Sequence, residues 1–108
     1  MEPLLRDTYV EINLDNIAYN MRKIKETVGN DVAIAAVVKA NGYGHGAVDI
    51  AQTIMENGGD YLAVAALTEA LELRRHHSDY KIFIMGYTPD EYLEYIVKNN
   101  FTQTIFSL

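Results

Sequence analysis

The chain has 108 residues, a formal net charge of -6 and no cysteine. That length holds one small domain with a modest core, and the 49% hydrophobic and 22% charged fractions are those of a globular chain. An acidic balance with no basic cluster longer than Arg74-Arg75 argues against nucleic acid and polybasic membrane binding, and the missing thiols exclude disulfides, thiolate metal sites and cysteine nucleophiles.

The opening Met-Glu-Pro-Leu-Leu-Arg lacks the basic and apolar regions of a signal peptide, so a cytoplasmic location is expected. Tyr9-Val10-Glu11-Ile12 alternates as a short strand does. Asp15 is placed to cap the helix that follows, where Ile17, Met21, Ile24 and Val28 fall on one stripe and Gly29 ends the run. Val32 to Val38 is a continuous apolar run, as in a parallel strand covered on both faces. Ala47, Ala51, Ile54, Met55 and Gly58 share one face of a second helix, which Gly58-Gly59 stops. Tyr61 to Ala65 is the next buried strand. Thr68 is placed to cap a helix whose acids come first and whose bases, Arg74 and Arg75, come last, as the macrodipole favours. Lys81 to Gly86 is a third strand. Thr88-Pro89-Asp90-Glu91 reads as a capping box with proline at the first helical position, ahead of a helix burying Tyr92, Leu93, Ile96 and Val97. Thr102 to Phe106 is a fourth strand.

Successive strands begin about 20 to 27 residues apart, the spacing of strand–helix units with short loops. Right-handed crossovers then give an α/β fold with a parallel sheet. Four such strands form either a small open α/β domain or the first half of a (β/α)8 TIM-type barrel, which needs eight strands and about 250 residues.

Lys39 ends the second apolar run. Ala35, Val37 and Lys39 share one side of that strand, and the bulkier Ile34, Ala36 and Val38 share the other. The bulky set suits packing under helices and the small set suits a barrel interior, which would put Lys39 at the carboxyl end where parallel α/β folds build their sites. Two readings follow from spacing. The commoner is a solvated residue at a strand edge; the other is an amine that condenses with an aldehyde, as lysines do with pyridoxal phosphate. In the second reading Gly42, Gly44 and Gly46 free the backbone for positive φ and close approach to a ligand, and Tyr43 offers a ring and a hydroxyl. The run is neither a Walker A loop nor a dinucleotide fingerprint, because both spacings are missing.

The stretch V-V-K-A-N-G-Y-G-H-G (37 to 46) resembles the cofactor-lysine signature of the alanine racemases, fold-type III pyridoxal-phosphate enzymes with an N-terminal (β/α)8 barrel and a C-terminal β domain. The family often has alanine where Gly42 stands. T-Y-V-E-I-N-L-D-N-I-A-Y-N is similar to the family's opening segment, L-A-V-A-A-L-T-E-A-L-E-L-R to its second strand and following helix, and I-F-I-M-G-Y-T-P to its third strand, so the resemblance covers essentially the whole chain. It implies that residues 1–108 are an N-terminal fragment of the barrel domain, with the C-terminal β domain absent. It implies that Lys39 carries the internal aldimine with pyridoxal 5'-phosphate and serves as one of two bases. Tyr43 matches the tyrosine that contacts the cofactor phosphate. Val37 and Met85 match apolar positions near the ring, where plain barrel core serves equally well. The implied reaction interconverts L-alanine and D-alanine, supplying D-alanine for bacterial peptidoglycan. In the family the second base is a tyrosine from the other subunit's C-terminal domain, so a homodimer is expected of the full-length protein. The arginine facing the pyridine nitrogen and most phosphate ligands also come from later sequence, so the fragment alone is expected to be inactive. The alternatives are a non-catalytic pyridoxal-phosphate-binding barrel protein and another fold-type III racemase or decarboxylase.

No metal site is expected. His76 and His77 are adjacent and do not share a helical face; they read as residues favoured at a helix C-terminus. His45 either orients a neighbour near the cofactor or holds the loop through one hydrogen bond. Asn41 either fixes the loop backbone or lines the pocket. Glu69, Glu72, Asp90, Glu91 and Glu94 read as solvated helix faces and capping groups, and Tyr92 and Tyr95 as packing residues with room for an interface.

Overall fold

The structure, a computed structural model, describes residues 11–107. Helix α1 (Leu14–Val28) leads into β1 (Ala35–Val37), α2 (Ala47–Glu56), β2 (Tyr61–Val64), α3 (Leu67–His76) and β3 (Ile82–Ile84). A 3-10 turn (Asp90–Tyr92), α4 (Leu93–Lys98) and β4 (Thr102–Gln103) complete the order. All strands pair in parallel and lie in the order β1-β2-β3-β4. Each strand neighbours its predecessor, so every crossover winds the same way. A doubly wound sheet would reverse direction within the order; this one does not, which is how half of a barrel is built.

Helices cover one face of the sheet only. Leu62, Val64, Ile82 and Ile84 point to that face and are fully buried, packed with Met21, Ile50, Ile54, Ala70, Leu73 and Phe101. On the opposite face Val37 remains 40% exposed. Val38 is buried while Ala35, Val37 and Lys39 are exposed, so the division of bulky and small residues along β1 is as expected. Among the described residues no helix is long and apolar enough to cross a membrane.

Several expected boundaries move. The strand expected at Tyr9 to Ile12 lies partly outside the described residues, and Glu11 and Ile12 are not in a strand. Asn13, not Asp15, caps α1: its side-chain oxygen accepts from the Asp15 and Asn16 amides at 2.9 and 3.2 Å. Gly29 ends α1 as expected, at φ 80 with its N–H on the Lys25 carbonyl. Thr68 does not cap α3. The cap position belongs to Ala66, and Glu69 reaches back to do the work. The capping box at Thr88 is also absent. Pro89 opens a 3-10 turn without a side-chain cap, and the buried Thr88 hydroxyl donates to Gln103 Oε1 at 2.6 Å. Gln103 Nε2 donates onward to the Gly86 carbonyl at 2.7 Å, tying β4 to the end of β3. Of the apolar face expected on α4 only Ile96 is buried; Val97 is 80% exposed. Strand β4, expected to run to Phe106, stops after Gln103, with the Thr104 amide and hydroxyl both donating to the Ile84 carbonyl.

Candidate active site

The carboxyl ends of β1, β2 and β3 meet where the ladder runs out. The amides of Val38, Met85 and Gly86 bond the carbonyls of Ala63, Val64 and Ala65, carrying the sheet just past its last paired residues. Val38, at φ -122 and ψ 24, already leaves the extended conformation, so Lys39 opens the turn just past the end of β1, and Met85 follows the end of β3. Val37, the last residue of β1, stands on the open face. Lys39 is exposed, and its ammonium makes no ion pair or hydrogen bond among the described residues. A free amine at a strand end is the donor set that an aldehyde cofactor requires.

The backbone after the lysine reverses its hand. Ala40, Asn41, Gly42 and Tyr43 have φ of 52, 54, 67 and 56, forming one left-handed turn within Lys39–Tyr43. Gly44 and Gly46 follow at φ 92 and 88. Glycine was expected to supply this freedom, yet three of the residues have a Cβ, each at a cost of about 1 kcal/mol. Bonds across the loop hold them there. The Gly42 amide donates to the Val38 carbonyl at 2.8 Å and the Gly46 amide to that of Asn41 at 2.8 Å. Asn41 Oδ1 accepts from the Ala47 amide at the start of α2 at 3.0 Å, so it fixes the loop backbone. His45 Nδ1 lies 3.1 Å from the Gly42 carbonyl, the single loop-holding bond that was one of its two readings. Strain of this kind persists where the surroundings overdetermine it and gathers at functional sites.

Glu69 is the residue that sequence reasoning placed on a solvated face. Its Oε1 accepts from the amides of Ala65 and Ala66 at 2.8 and 3.2 Å, and its Oε2 accepts from the Ala40 amide at 2.7 Å. The sequence signal was a glutamate three residues after the true cap, the spacing of a capping box. It was hidden by the choice of Thr68 as the cap.

The four expected site residues do not share a closed pocket. Tyr43 is 61% exposed at the far end of the turn, and its hydroxyl makes no hydrogen bond among the described residues. A cavity of about 50 Å³ under the loop is lined by Val38, Asn41, Val64, Glu69 and Leu73. A larger one of about 460 Å³, lined by Leu67, Leu71, Tyr87, Pro89, Tyr92 and Tyr95, lies between α3 and the 3-10 turn. Neither holds Lys39, Tyr43, Val37 or Met85, because four strands leave the inner face open. The two displaced acidities lie at the other end of the sheet. Burial, opposed by Asp79, lowers the Arg74 pKa from its ordinary value, and burial, helped by Glu56 and Asp79, raises that of Tyr80.

A singly wound run of parallel strands, with an exposed lysine at a strand end where a strained loop begins, defines the first part of an α/β-barrel domain of the lysine-bearing kind. The family described as alanine racemase, N-terminal domain, matches residues 12–108, and the chain belongs to it. Alanine racemase 2 of Caldanaerobacter subterraneus subsp. tengcongensis is 49% identical over 104 residues, which are 96% of this chain and 27% of that protein. The alanine racemase of Clostridium tetani is 50% identical over 103 residues, 95% of this chain and 26% of that protein. The crystal structure of alanine racemase from Bacillus anthracis with bound L-Ala-P superposes with a TM-score of 0.90 at 43% identity, over 97% of this chain and 27% of that one. The chain thus spans about a quarter of the length of these relatives. The parallel sheet with alternating helices matches the first half of their barrel.

Proposed function

We propose that residues 1–108 form the cofactor-lysine part of an alanine racemase, with the remaining strands of the barrel and a C-terminal β domain supplied by further sequence. The reaction is the interconversion of L- and D-alanine, which provides D-alanine for peptidoglycan, by a cytoplasmic homodimer holding pyridoxal 5'-phosphate. The observation that supports this reading is the Lys39 amine at the carboxyl end of β1, without a partner among the described residues and followed by a left-handed turn.

Pyridoxal phosphate, when bound, withdraws electrons from the substrate's Cα and so acidifies its hydrogen. The chain's own residues bind, orient and move a proton. Lys39 would hold the cofactor through Nζ, and the same nitrogen would take or return the proton on one side of Cα. Tyr43 would contribute its hydroxyl to the phosphate, and Val37 and Met85 would supply apolar contact to the ring. Racemisation needs a second base on the opposite side, which the reading assigns to a tyrosine of the partner subunit.

The test is covalent capture. The chain is mixed with pyridoxal phosphate, reduced with borohydride and mapped by peptide mass spectrometry. The cofactor mass is expected on the Lys39 peptide, and Lys39→Ala is expected to abolish the visible absorbance of the bound cofactor. Equal absorbance in that variant would defeat the assignment. The chain alone is expected to show no interconversion of the alanine enantiomers in a polarimetric assay. Measurable turnover would show that the second base lies within these residues.

A further inference from the structure

Glu69 belongs to the first turn of α3, yet its side chain bonds two segments that are far apart in sequence. One carboxylate oxygen takes the amides of Ala65 and Ala66, which leave β2. The other takes the amide of Ala40, the peptide group directly after Lys39. The bonds across the loop are donated by the N–H groups of Gly42, Gly44, His45 and Gly46, and the Ala40 N–H goes to Glu69 instead. Bonds from an N–H to a carboxylate are the stronger kind, and a negative group is favoured at a helix N-terminus. Ala40 is also the first residue at positive φ, so the point held is where the chain changes hand.

We infer that Glu69 is a positioning residue for Lys39: its carboxylate pins the Lys39–Ala40 peptide to the end of β2 and so fixes the direction from which the amine enters the barrel mouth. The inference rests on the reading of Lys39 as the cofactor lysine, but the bridge can be measured without it. Helix capping alone accounts for Oε1 and leaves Oε2 on Ala40 unexplained. The two oxygens therefore separate a structural role from a positioning one, and a side chain one methylene shorter separates them in experiment. Glu69→Asp keeps the negative charge in the first turn of α3 and is expected to lose the reach to Ala40. Glu69→Gln keeps the length but turns an NH2 group toward an N–H on one side.

The experiment uses the full 108-residue chain with two readouts. The first is amide hydrogen exchange at Ala40. It is expected to speed up by about tenfold in both variants, the worth of one charge-assisted hydrogen bond, while Met21 and Leu62 amides keep their protection. The second is borohydride capture of pyridoxal phosphate, scored as the share on Lys39 relative to Lys23, Lys25, Lys81 and Lys98. That share is expected to fall in both variants with the far-UV circular dichroism unchanged. Ala40 exchange as fast in the unaltered chain as in Glu69→Asp would overturn the bridge. An unchanged Lys39 share alongside faster Ala40 exchange would overturn the positioning role. If the unaltered chain shows no preference for Lys39, the cofactor reading fails, and with it the role toward the amine. Should Glu69→Gln not fold, Glu69→Asp decides both points by the same two readouts.

Discussion

Gly86→Ala is expected to destabilise the fold by about 3 kcal/mol, a large part of the stability of a small domain. The reason is space. A Cβ built at Gly86 would overlap the backbone carbonyl oxygen of Ala65, the oxygen that the Gly86 amide itself bonds at 3.1 Å. That carbonyl cannot swing away freely. The Ala66 amide of the same peptide group is held by Glu69, and the Gly86 carbonyl is held from the other side by Gln103 Nε2. The methyl group would have to part β2 from β3. Gly44→Ala is the control: its φ is 92 and nothing lies within 4 Å of its Cβ, so it carries only the left-handed cost of about 1 kcal/mol. Urea unfolding measures both. The Gly86 midpoint should fall far more than the Gly44 midpoint at an unchanged slope, and a smaller loss at Gly86 would refute the crowding.

The fold was legible because parallel strands buried by helices read as apolar runs. Val32 to Val38, Tyr61 to Ala65 and Lys81 to Gly86 each contain an observed strand. Glycine ended α1 for the reason given in advance. What failed were the caps. Asn13, Ala66 and Pro89 hold cap positions that had been assigned to Asp15, Thr68 and Thr88. Several residues in each stretch satisfy the same local preference, and the winner is set by bonds from elsewhere: Glu69 caps from inside its own helix, and Thr88 is drawn to Gln103, fifteen residues away. The exposed Val97 fails for a related cause. A periodic stripe says that a face is apolar but not that these residues supply something to cover it.

The loop after Lys39 was legible in its glycines and not in its geometry. A lysine ending an apolar strand before three glycines marked the place, and the positive φ of Gly42, Gly44 and Gly46 agrees with that reading. The left-handed conformation of Ala40, Asn41 and Tyr43 was not foreseen, because alanine and tyrosine carry no preference for it. Beside the bonds within the loop, it is held by one acceptor distant in sequence, since Glu69 is 29 residues from the amide it holds. No local pattern encodes such a distance.

Leu62→Ala is expected to cost about 3 kcal/mol, within the range for emptying a buried leucine site, whereas Val37→Ala should cost about 0.5 kcal/mol or less. Both residues lie in paired strands one register step apart, Leu62 opposite Ala36 and Val37, the last residue of β1, opposite Ala63. Their difference is the face they occupy. Leu62 is fully buried among Ile54, Leu73 and Ile82 under the helices, and Val37 stands on the open side at 40% exposure. The two truncations differ by one carbon, worth about 1 kcal/mol when buried, so a gap well beyond that reports burial. A wide gap means that the inner face is solvated in the isolated chain, as half of a barrel requires. Equal losses would mean that something covers that face in solution, and light scattering would then separate a second copy of the chain from a rearranged monomer. In a chain carrying all eight strands the same Val37→Ala change should become as costly as an ordinary core truncation, because closing the barrel is what would bury that face.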